Sequence, residues 1–206
     1  MDSPLPSGTV PEQFSANLPA RDMRTPAQRA NPFRSCDIER ILRSRGWLAG
    51  EACPDVTQWM HEAASLLGPQ ATEISTEPSE ISGALENLLF LIFVYDAKAI
   101  LSSPENQAVM SREGAREVIR ELANRILSGP EIDSTRFKEI IEGMKARLSF
   151  HARKLFHPIR LALVGRAGEG ELDRVILLLD SASQLTFATA VKGTRQRIIE
   201  FCAALD

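Results

Sequence analysis

The run ISGALENLLFLIFVYDAKAILSS, residues 81–103, constrains the fold more than any other part of the chain, because it is apolar on nearly every side of a helix. A helix without a polar face must be surrounded by other elements. Its longest uninterrupted apolar stretch, Leu88 to Tyr95, is far shorter than the roughly 20 residues that a membrane-spanning helix needs. The run therefore predicts a central, well-buried helix that ends at Ser102, Ser103 and Pro104.

Segments on both sides of this run place apolar residues at the spacing of one helix face. They cover residues 31–48, 55–68, 111–129, 133–150, 171–183 and 194–206. The pair Gly68-Pro69 is expected to stop the second of these helices. Period-two alternation, which is typical of half-buried strands, is almost absent. The chain is therefore predicted to be all-α.

The stretch KLFHPIRLALVG, from Lys154 to Gly165, is ambiguous because it fits either a short buried strand or a short helix. Proline is favoured at the first position of a helix, where its missing N–H would be unpaired in any case. Glycine is favoured just after the last helical residue. No other segment offers a partner strand, so a helix from Pro158 to Val164 is predicted.

Composition divides the chain into three parts. Residues 1–30 are rich in Pro, Ser and Ala without apolar periodicity, which predicts a disordered tail. Residues 31–102 are expected to form an N-terminal helical subdomain and residues 103–206 a C-terminal one. The start of the sequence lacks the apolar segment of a secretory signal, so a cytoplasmic protein is predicted.

No constellation of side chains indicates a metal site, a cofactor or catalysis. The three cysteines, Cys36, Cys53 and Cys202, are odd in number and far apart, and the histidines are His61, His151 and His157. None of these has partners at the spacing of a zinc site. The loop GRAGEGE lacks the Gly-Lys-Ser/Thr ending of a phosphate-binding loop. A protein without metal, cofactor or enzymatic activity is predicted.

The segment RKLFHPIRLALVGRAGEGELDRVILLL, residues 153–179, resembles the C-terminal anticodon-binding region of bacterial glutamyl-tRNA synthetases. That family's segment has roughly the pattern Lys-Leu-Phe-x-Pro-Leu-Arg-x-Ala-Leu-Thr-Gly. The matching positions are Lys154, Leu155, Phe156, Pro158, Arg160, Ala162, Leu163 and Gly165. Two upstream segments, FVYDAKAIL and DSTRFKEIIEGMKARLSF, are similar to the family at comparable spacing. The resemblance covers residues 80–206, and residues 33–80 by pattern only.

The resemblance implies a noncatalytic, tRNA-binding-like module without the catalytic half of the synthetase. The His-x-Gly-His motif and the Lys-Met-Ser-Lys-Ser loop, through which that half binds ATP, do not occur in this sequence. The implied partners are tRNA and a separately encoded synthetase chain. The sequence departs from the family pattern at Val164, at His157 and at Glu169-Gly170, so the last loop is open to another role.

Charge is consistent with RNA contact near the C-terminal end of the chain. From residue 145 onward there are ten basic and six acidic side chains, a net charge of +4, whereas the whole chain carries −3. A basic region on an acidic body fits a localised phosphate-binding face, although a solvated face of mixed charge fits equally well. The candidate RNA-binding residues are Lys145, Arg147, Arg153, Lys154, Arg160 and Arg166.

Two alternatives remain open at this point. Phe150 and Phe156 are candidates for stacking on bases, but their spacing beside apolar residues is more typical of a core. Equally, the chain could be a helical protein-interaction or structural paralogue that has lost RNA binding, because fold resemblance alone does not fix function. A continuous positive groove would favour RNA binding, and bases paired with acids would favour the paralogue.

Overall fold

A computed structural model describes residues 31, 33–74 and 78–205, and every regular element over those ranges is a helix. The all-α prediction is therefore confirmed. The helices are α1 (Ser35–Ser44), α2 (Pro54–Ile74), α3 (Pro78–Phe93), α4 (Ala97–Ser102), α5 (Pro104–Met110), α6 (Ala115–Leu127), α7 (Ser134–Leu148), α8 (Arg153–Val164), α9 (Glu171–Ser183) and α10 (Thr194–Leu205). The tail predicted over residues 1–30 lies outside the described residues.

Helix α3 occupies the central position that its apolar sequence predicts. It packs between α2 and α9, and Leu85, Leu89 and Ile92 are completely buried. Phe90 remains 43% exposed, so one side of the helix is open. No helix over the described ranges is long and apolar enough to cross a bilayer.

The central helix is shorter than predicted, because the backbone leaves the helix after Phe93 and resumes at Ala97. Asp96 caps the new helix: its carboxylate accepts the backbone N–H groups of Lys98 at 2.9 Å and Ala99 at 3.1 Å. A side-chain acceptor at this position satisfies donors that a helix start otherwise leaves unpaired. The prediction of one helix continuing to Ser103 is therefore wrong.

Two of the three helix boundaries predicted at a proline are wrong, whereas the break at Pro104 is confirmed, since α4 ends at Ser102 and α5 begins at Pro104. Helix α2 continues through Pro69 to Ile74, and α8 begins at Arg153 with Pro158 in its interior. A proline inside a helix deprives the carbonyl four residues earlier of its N–H partner. Those carbonyls belong here to Ser65 and Lys154, which are both exposed residues. Each proline therefore lies inside a helix at a place where the residue that loses its backbone partner is at the surface.

The predicted end of α8 is confirmed at Gly165. This residue adopts the left-handed conformation, with φ of +84°, and closes the helix by donating to the carbonyl of Leu161. A side chain there would also meet Ile100, whose Cδ1 lies 2.9 Å from the position of a Cβ. The left-handed backbone is therefore the main reason for glycine here, and any side chain would also have to displace the end of Ile100.

Helices before and after residue 102 pack against each other. Helices α2 and α3 contact α9, and α4 contacts α10, so one apolar core extends from Ile38 to Phe201. The indole N–H of Trp59 donates to the carbonyl of Leu178 at 3.4 Å. The division into subdomains at residues 102 and 103 stays a prediction.

Candidate nucleic-acid interface

Four of the six predicted RNA-binding residues lie in or beside the connection between α7 and α8. This segment, residues 145–154, is called here the α7–α8 junction. Helix α7 ends in the left-handed Ser149, with φ of +55°, and Ala152 before α8 has φ of +48° and ψ of −131°. The connection is only four residues long, so Lys145 and Arg147 at the end of α7 lie close in the chain to Arg153 and Lys154 at the start of α8.

A turn from another part of the chain supports this junction. Phe150 packs on Gly114, where a Cβ would lie 2.4 Å from the ring atom Cζ, so this position between α5 and α6 must be glycine. Nearby, Nη1 of Arg112 lies 3.3 Å from Nδ1 of His157. Phe150 is half-buried against this turn, which favours the core role that its spacing indicated.

His157 of α8 packs just beyond the junction, and its Nε2 is buried and makes no hydrogen bond to the described residues. Burial, together with the neighbouring Arg112 guanidinium, lowers the pKa of His157 below its usual 6.5. The folded protein therefore favours the neutral ring, whose Nδ1 can accept from Arg112.

This shift predicts a loss of stability in mild acid. Because the pKa is lower in the folded state than in the unfolded chain, the contribution of His157 is complete above about pH 6.5 and falls as the pH drops below it. The expected result is a thermal midpoint that falls less steeply between about pH 6.5 and 5 in His157→Gln than in wild type. The exposed His151, changed to glutamine, serves as the control. Parallel pH profiles of His157→Gln and wild type would contradict the assignment.

Four of the six predicted RNA-binding residues form ion pairs. The pairs are Lys145 with Glu142 at 2.8 Å, Arg147 with Glu121 at 3.2 Å, Arg153 with Glu169 at 3.4 Å, and Arg160 with Asp173 at 2.7 Å. Lys154 and Arg166 are exposed and have no acidic partner within 4 Å among the described side chains. The six predicted residues therefore form three groups. Lys154 and Arg166 are unpaired within the described part of the chain, Lys145, Arg147 and Arg153 form ion pairs nearer the surface, and Arg160 is buried.

The exposed ion pairs leave the side chains of Arg153 and Arg147 available for contact with phosphate. Arg153 and Glu169 are 75% and 68% exposed, and such pairs contribute about 0–1 kcal/mol, so a phosphate can replace the carboxylate. Arg147 is likewise 66% exposed, although its partner Glu121 is buried and is also bound by Arg125. These bases can exchange partners without a change in the fold.

Arg160 differs from the other five, because its side chain is 7% exposed and fully engaged. Its Nε and Nη2 bind the two carboxylate oxygens of Asp173 at 2.7 and 3.0 Å, and its Nη1 donates to the carbonyl of Gly168 at 2.8 Å. The guanidinium also lies 4.9 Å from the ring centre of Phe156. Arg160 thus holds the loop between α8 and α9, and the structure does not bring it to the surface with the other bases.

Arg197 is a second buried arginine, and sequence counting treated it as part of the basic C-terminal region. It is completely buried in α10 and donates to four backbone carbonyls. These are Lys192 at 2.8 Å, Leu91 at 2.9 Å, Leu163 at 2.7 Å and Ile92 at 2.5 Å. Three of them lie in the last turns of α3 and α8, where the helix dipole is negative and favours a cation. Burial lowers the pKa of Arg197 to about 10, so it remains charged at neutral pH.

Tyr95 completes this buried cluster. Its ring lies 4.6 Å from the Arg197 guanidinium, and its hydroxyl donates to the carbonyl of Ala162 at 2.6 Å. Burial raises the pKa of the Tyr95 phenol above its ordinary value of 10. The Tyr95-Asp96 pair of the FVYDAKAIL segment therefore has a structural role, since it links α3 to α8 and caps α4.

Over the described residues, no group of three or more His, Cys, Asp or Glu side chains is arranged to hold a metal ion.

Comparison of the chain with curated proteins and with solved structures gave no match. The family described as "anticodon binding domain" matches residues 41–184, which is more than half of the chain. The matched range contains helices α2 to α9 and therefore the whole α7–α8 junction. The chain belongs to the anticodon binding domain family.

Proposed function

We propose that the protein is a noncatalytic module that binds tRNA through the exposed bases of the α7–α8 junction. The observation that supports this most is that the family match includes the junction, where Arg153 and Lys154 are exposed. Arg166, in the loop that Arg160 holds in place, adds a third exposed base. Side chains of this kind position a protein on the phosphates of an RNA without reading its sequence.

The glutamyl-tRNA synthetase resemblance gives this module a specific context. The sequence contains neither nucleotide-binding motif of the synthetase catalytic half. We propose that the module acts in trans with a separately encoded synthetase. The substrate of that partnership would be a glutamate-accepting tRNA. The proposed site of action is the cytoplasm.

Salt-dependent binding to a tRNA pool tests the proposal. Wild type should bind with an affinity that falls as salt rises, because each phosphate contact releases counterions. The triple change Arg153→Gln, Lys154→Gln and Arg166→Gln should weaken binding at least about tenfold, or roughly 1.4 kcal/mol. It should also reduce the slope of log affinity against log salt by about 0.7–0.9 for each lost contact. Fluorescence anisotropy with labelled tRNA measures both quantities.

A charge-matched control separates a local interface from a general effect of net charge. Arg40, Arg43 and Lys98 are exposed bases on α1 and α4, and their triple replacement by glutamine removes the same charge. This control should bind nearly as well as wild type. Equal losses in the two triple variants would place the interface elsewhere. Absence of salt-sensitive binding to any tRNA pool would reject RNA binding.

A protein-interaction paralogue is the second candidate, and the pairing of four predicted bases with acids favours it. Phe90 of α3 and Val94, the residue just after this helix, are also each 43% exposed, and a protein partner would cover them. A pull-down from native lysate, followed by RNA sequencing and mass spectrometry of the same sample, discriminates the two. Recovery of protein without enriched tRNA would favour the paralogue.

A further inference from the structure

Helices α6 and α10 lie side by side and run in opposite directions. At one end, Nη1 of Arg116 in the first turn of α6 donates to the carbonyl of Leu205, the last residue of α10, at 3.3 Å. At the other end, Nη1 of Arg195 in the first turn of α10 donates to the carbonyl of Leu127, the last residue of α6, at 3.1 Å. Because α6 has 13 residues, the two helices share a surface about 20 Å long.

Two rows of side chains form this surface, which is called here the α6–α10 face. Helical spacing of three and four residues places each row on one side of its helix. The rows are Arg116, Arg120, Ala123, Asn124 and Leu127 on α6, and Arg195, Ile199 and Cys202 on α10. A groove of about 240 Å³ between the helices is lined by members of both rows, among them Arg120, Ala123 and Cys202. The two rows therefore face the same side of the molecule.

The middle of the α6–α10 face is apolar and exposed. Four large apolar side chains are exposed over the described residues, and two of them lie here, Leu127 at 41% and Ile199 at 51%. Ile199 is one turn away from Arg195, which reaches the carbonyl of Leu127, so the two apolar side chains lie on neighbouring turns. An exposed apolar patch with a polar rim is typical of a protein-interaction site.

The two ends of the face carry opposite charges. Arg116 and Arg120 lie at one end, and both are exposed without an acidic partner within 4 Å among the described side chains. The other end leads into the loop after α6, where the exposed Glu131 accepts from the side-chain amide of Gln184 at 3.0 Å. Arg195 also lies at this end, but its guanidinium is engaged by carbonyls at the end of α6, where the helix dipole is negative.

We propose that the α6–α10 face is a self-association surface, on which a second copy of this chain packs about a twofold axis. In a twofold interface the same patch is used on both copies, so each end of the face meets the opposite end of the other. An axis near Ala123 and Ile199 brings the apolar side chains together at the centre. It also brings the basic end of one copy to Glu131 of the second copy.

Positions along α6 agree with this arrangement. Arg116 precedes Ala123 by seven residues, or about 10 Å of helix, and Leu127 follows Ala123 by four residues, or about 6 Å. Glu131 lies four residues further on, beyond the end of the helix. The base and the acid therefore lie on opposite sides of the axis, and the twofold operation forms two oppositely charged contacts at once. The four helices of the two copies would pack in the manner of a helix bundle.

This inference is independent of the proposed RNA binding, because no base of the α7–α8 junction belongs to the face. Sedimentation velocity over a dilution series tests it. A two-helix face is at the lower end of interface sizes, so wild type should pass from dimer to monomer on dilution. Ile199→Glu should raise the dissociation constant of the dimer at least about a hundredfold, because the twofold axis brings two carboxylates into its apolar centre.

The matched control is Val94→Glu, since Val94 is 43% exposed and lies outside both rows. This variant should dimerise as wild type does. A wild type that stays monomeric up to about 1 mM overturns the proposal. So does a dimer that Val94→Glu disrupts and Ile199→Glu leaves intact. If wild type is monomeric and Arg116→Glu weakens tRNA binding, the basic end belongs to the RNA-binding surface instead.

A charge exchange tests how the two copies are arranged. Arg116→Glu and Glu131→Arg should each raise the dissociation constant at least about tenfold, because each brings like charges together. The double variant restores opposite charges and should return to within about threefold of wild type. If it stays as weak as the single variants, the twofold arrangement is wrong. Circular dichroism checks the folding of every variant. Should Ile199→Glu unfold, the charge exchange decides alone, because Arg116 and Glu131 are exposed.

Discussion

Replacing Arg197 by methionine is expected to lower the free energy of unfolding by about 3–5 kcal/mol, a large part of the roughly 5–15 kcal/mol that stabilises a typical domain. Methionine has a similar length, so the cavity that it leaves is small. What it removes is the donor for four carbonyls, three of them in the last turns of α3 and α8. A buried acceptor without a donor costs about 1–3 kcal/mol.

Apolar replacement of a buried charge is sometimes neutral, but only when its partners are replaced as well. The partners of Arg197 are backbone carbonyls, which no substitution removes. Arg197→Lys is the informative control, because lysine keeps the charge but has no planar fork to reach several carbonyls at once. The free energy of unfolding of Arg197→Lys, measured by urea denaturation followed by circular dichroism, should lie between those of wild type and Arg197→Met. A loss below about 1 kcal/mol in Arg197→Met would show that other donors reach these carbonyls.

Asp180→Ala is expected to cost about 2–4 kcal/mol, because this carboxylate is the shared acceptor of three donors. It is 6% exposed and binds the backbone N–H of Ile132 at 2.7 Å, the backbone N–H of Thr194 at 2.6 Å and the Thr194 hydroxyl at 2.8 Å. These bonds join α9 to the loop before α7 and to the first residue of α10. Without the carboxylate, two buried backbone donors lose their partner.

Thr194→Val is the matched control, since it removes only the hydroxyl donor and leaves Asp180 with both backbone N–H groups. Its expected loss is about 1 kcal/mol. Chemical denaturation of both variants under the same conditions gives the comparison. Equal losses in Asp180→Ala and Thr194→Val would mean that the backbone donors find water or another acceptor, and the role assigned to Asp180 would be wrong.

Helix type was predictable for the long apolar segments but not for the short helix α5, and the helix boundary predicted at Pro104 is confirmed whereas those at two other prolines are wrong. Apolar periodicity located the amphipathic helices, and the structure confirms them as helices. Pro69 and Pro158 were expected to mark helix ends, yet both lie inside helices. In both cases the carbonyl that the proline leaves unpaired belongs to an exposed residue, Ser65 or Lys154. That exposure depends on tertiary packing, which local sequence does not contain.

The functional surface was less predictable, because a count of charged residues does not distinguish exposed arginines from buried ones. Arg153 is exposed, but Arg160 and Arg197 are buried and act within the fold. One signal could have identified Arg197: it lies four residues before Phe201 and therefore on the apolar face of α10. The partner of Arg160, Asp173, is 13 residues away on another helix, and no local pattern indicates that contact.

The positions of the two tryptophans give the protein an intrinsic optical probe of how its parts separate. Both precede residue 102, yet both contact residues that follow it: the ring of Trp59 lies 5.3 Å from that of Phe187, and the carbonyl of Trp47 accepts the N–H of Ala188 at 2.8 Å. Any event that detaches the later helices would expose these indoles to water and shift their emission to the red. Their spectra therefore reveal whether the predicted subdomains unfold together or in sequence, without a label and without a change to the surface that would bind RNA.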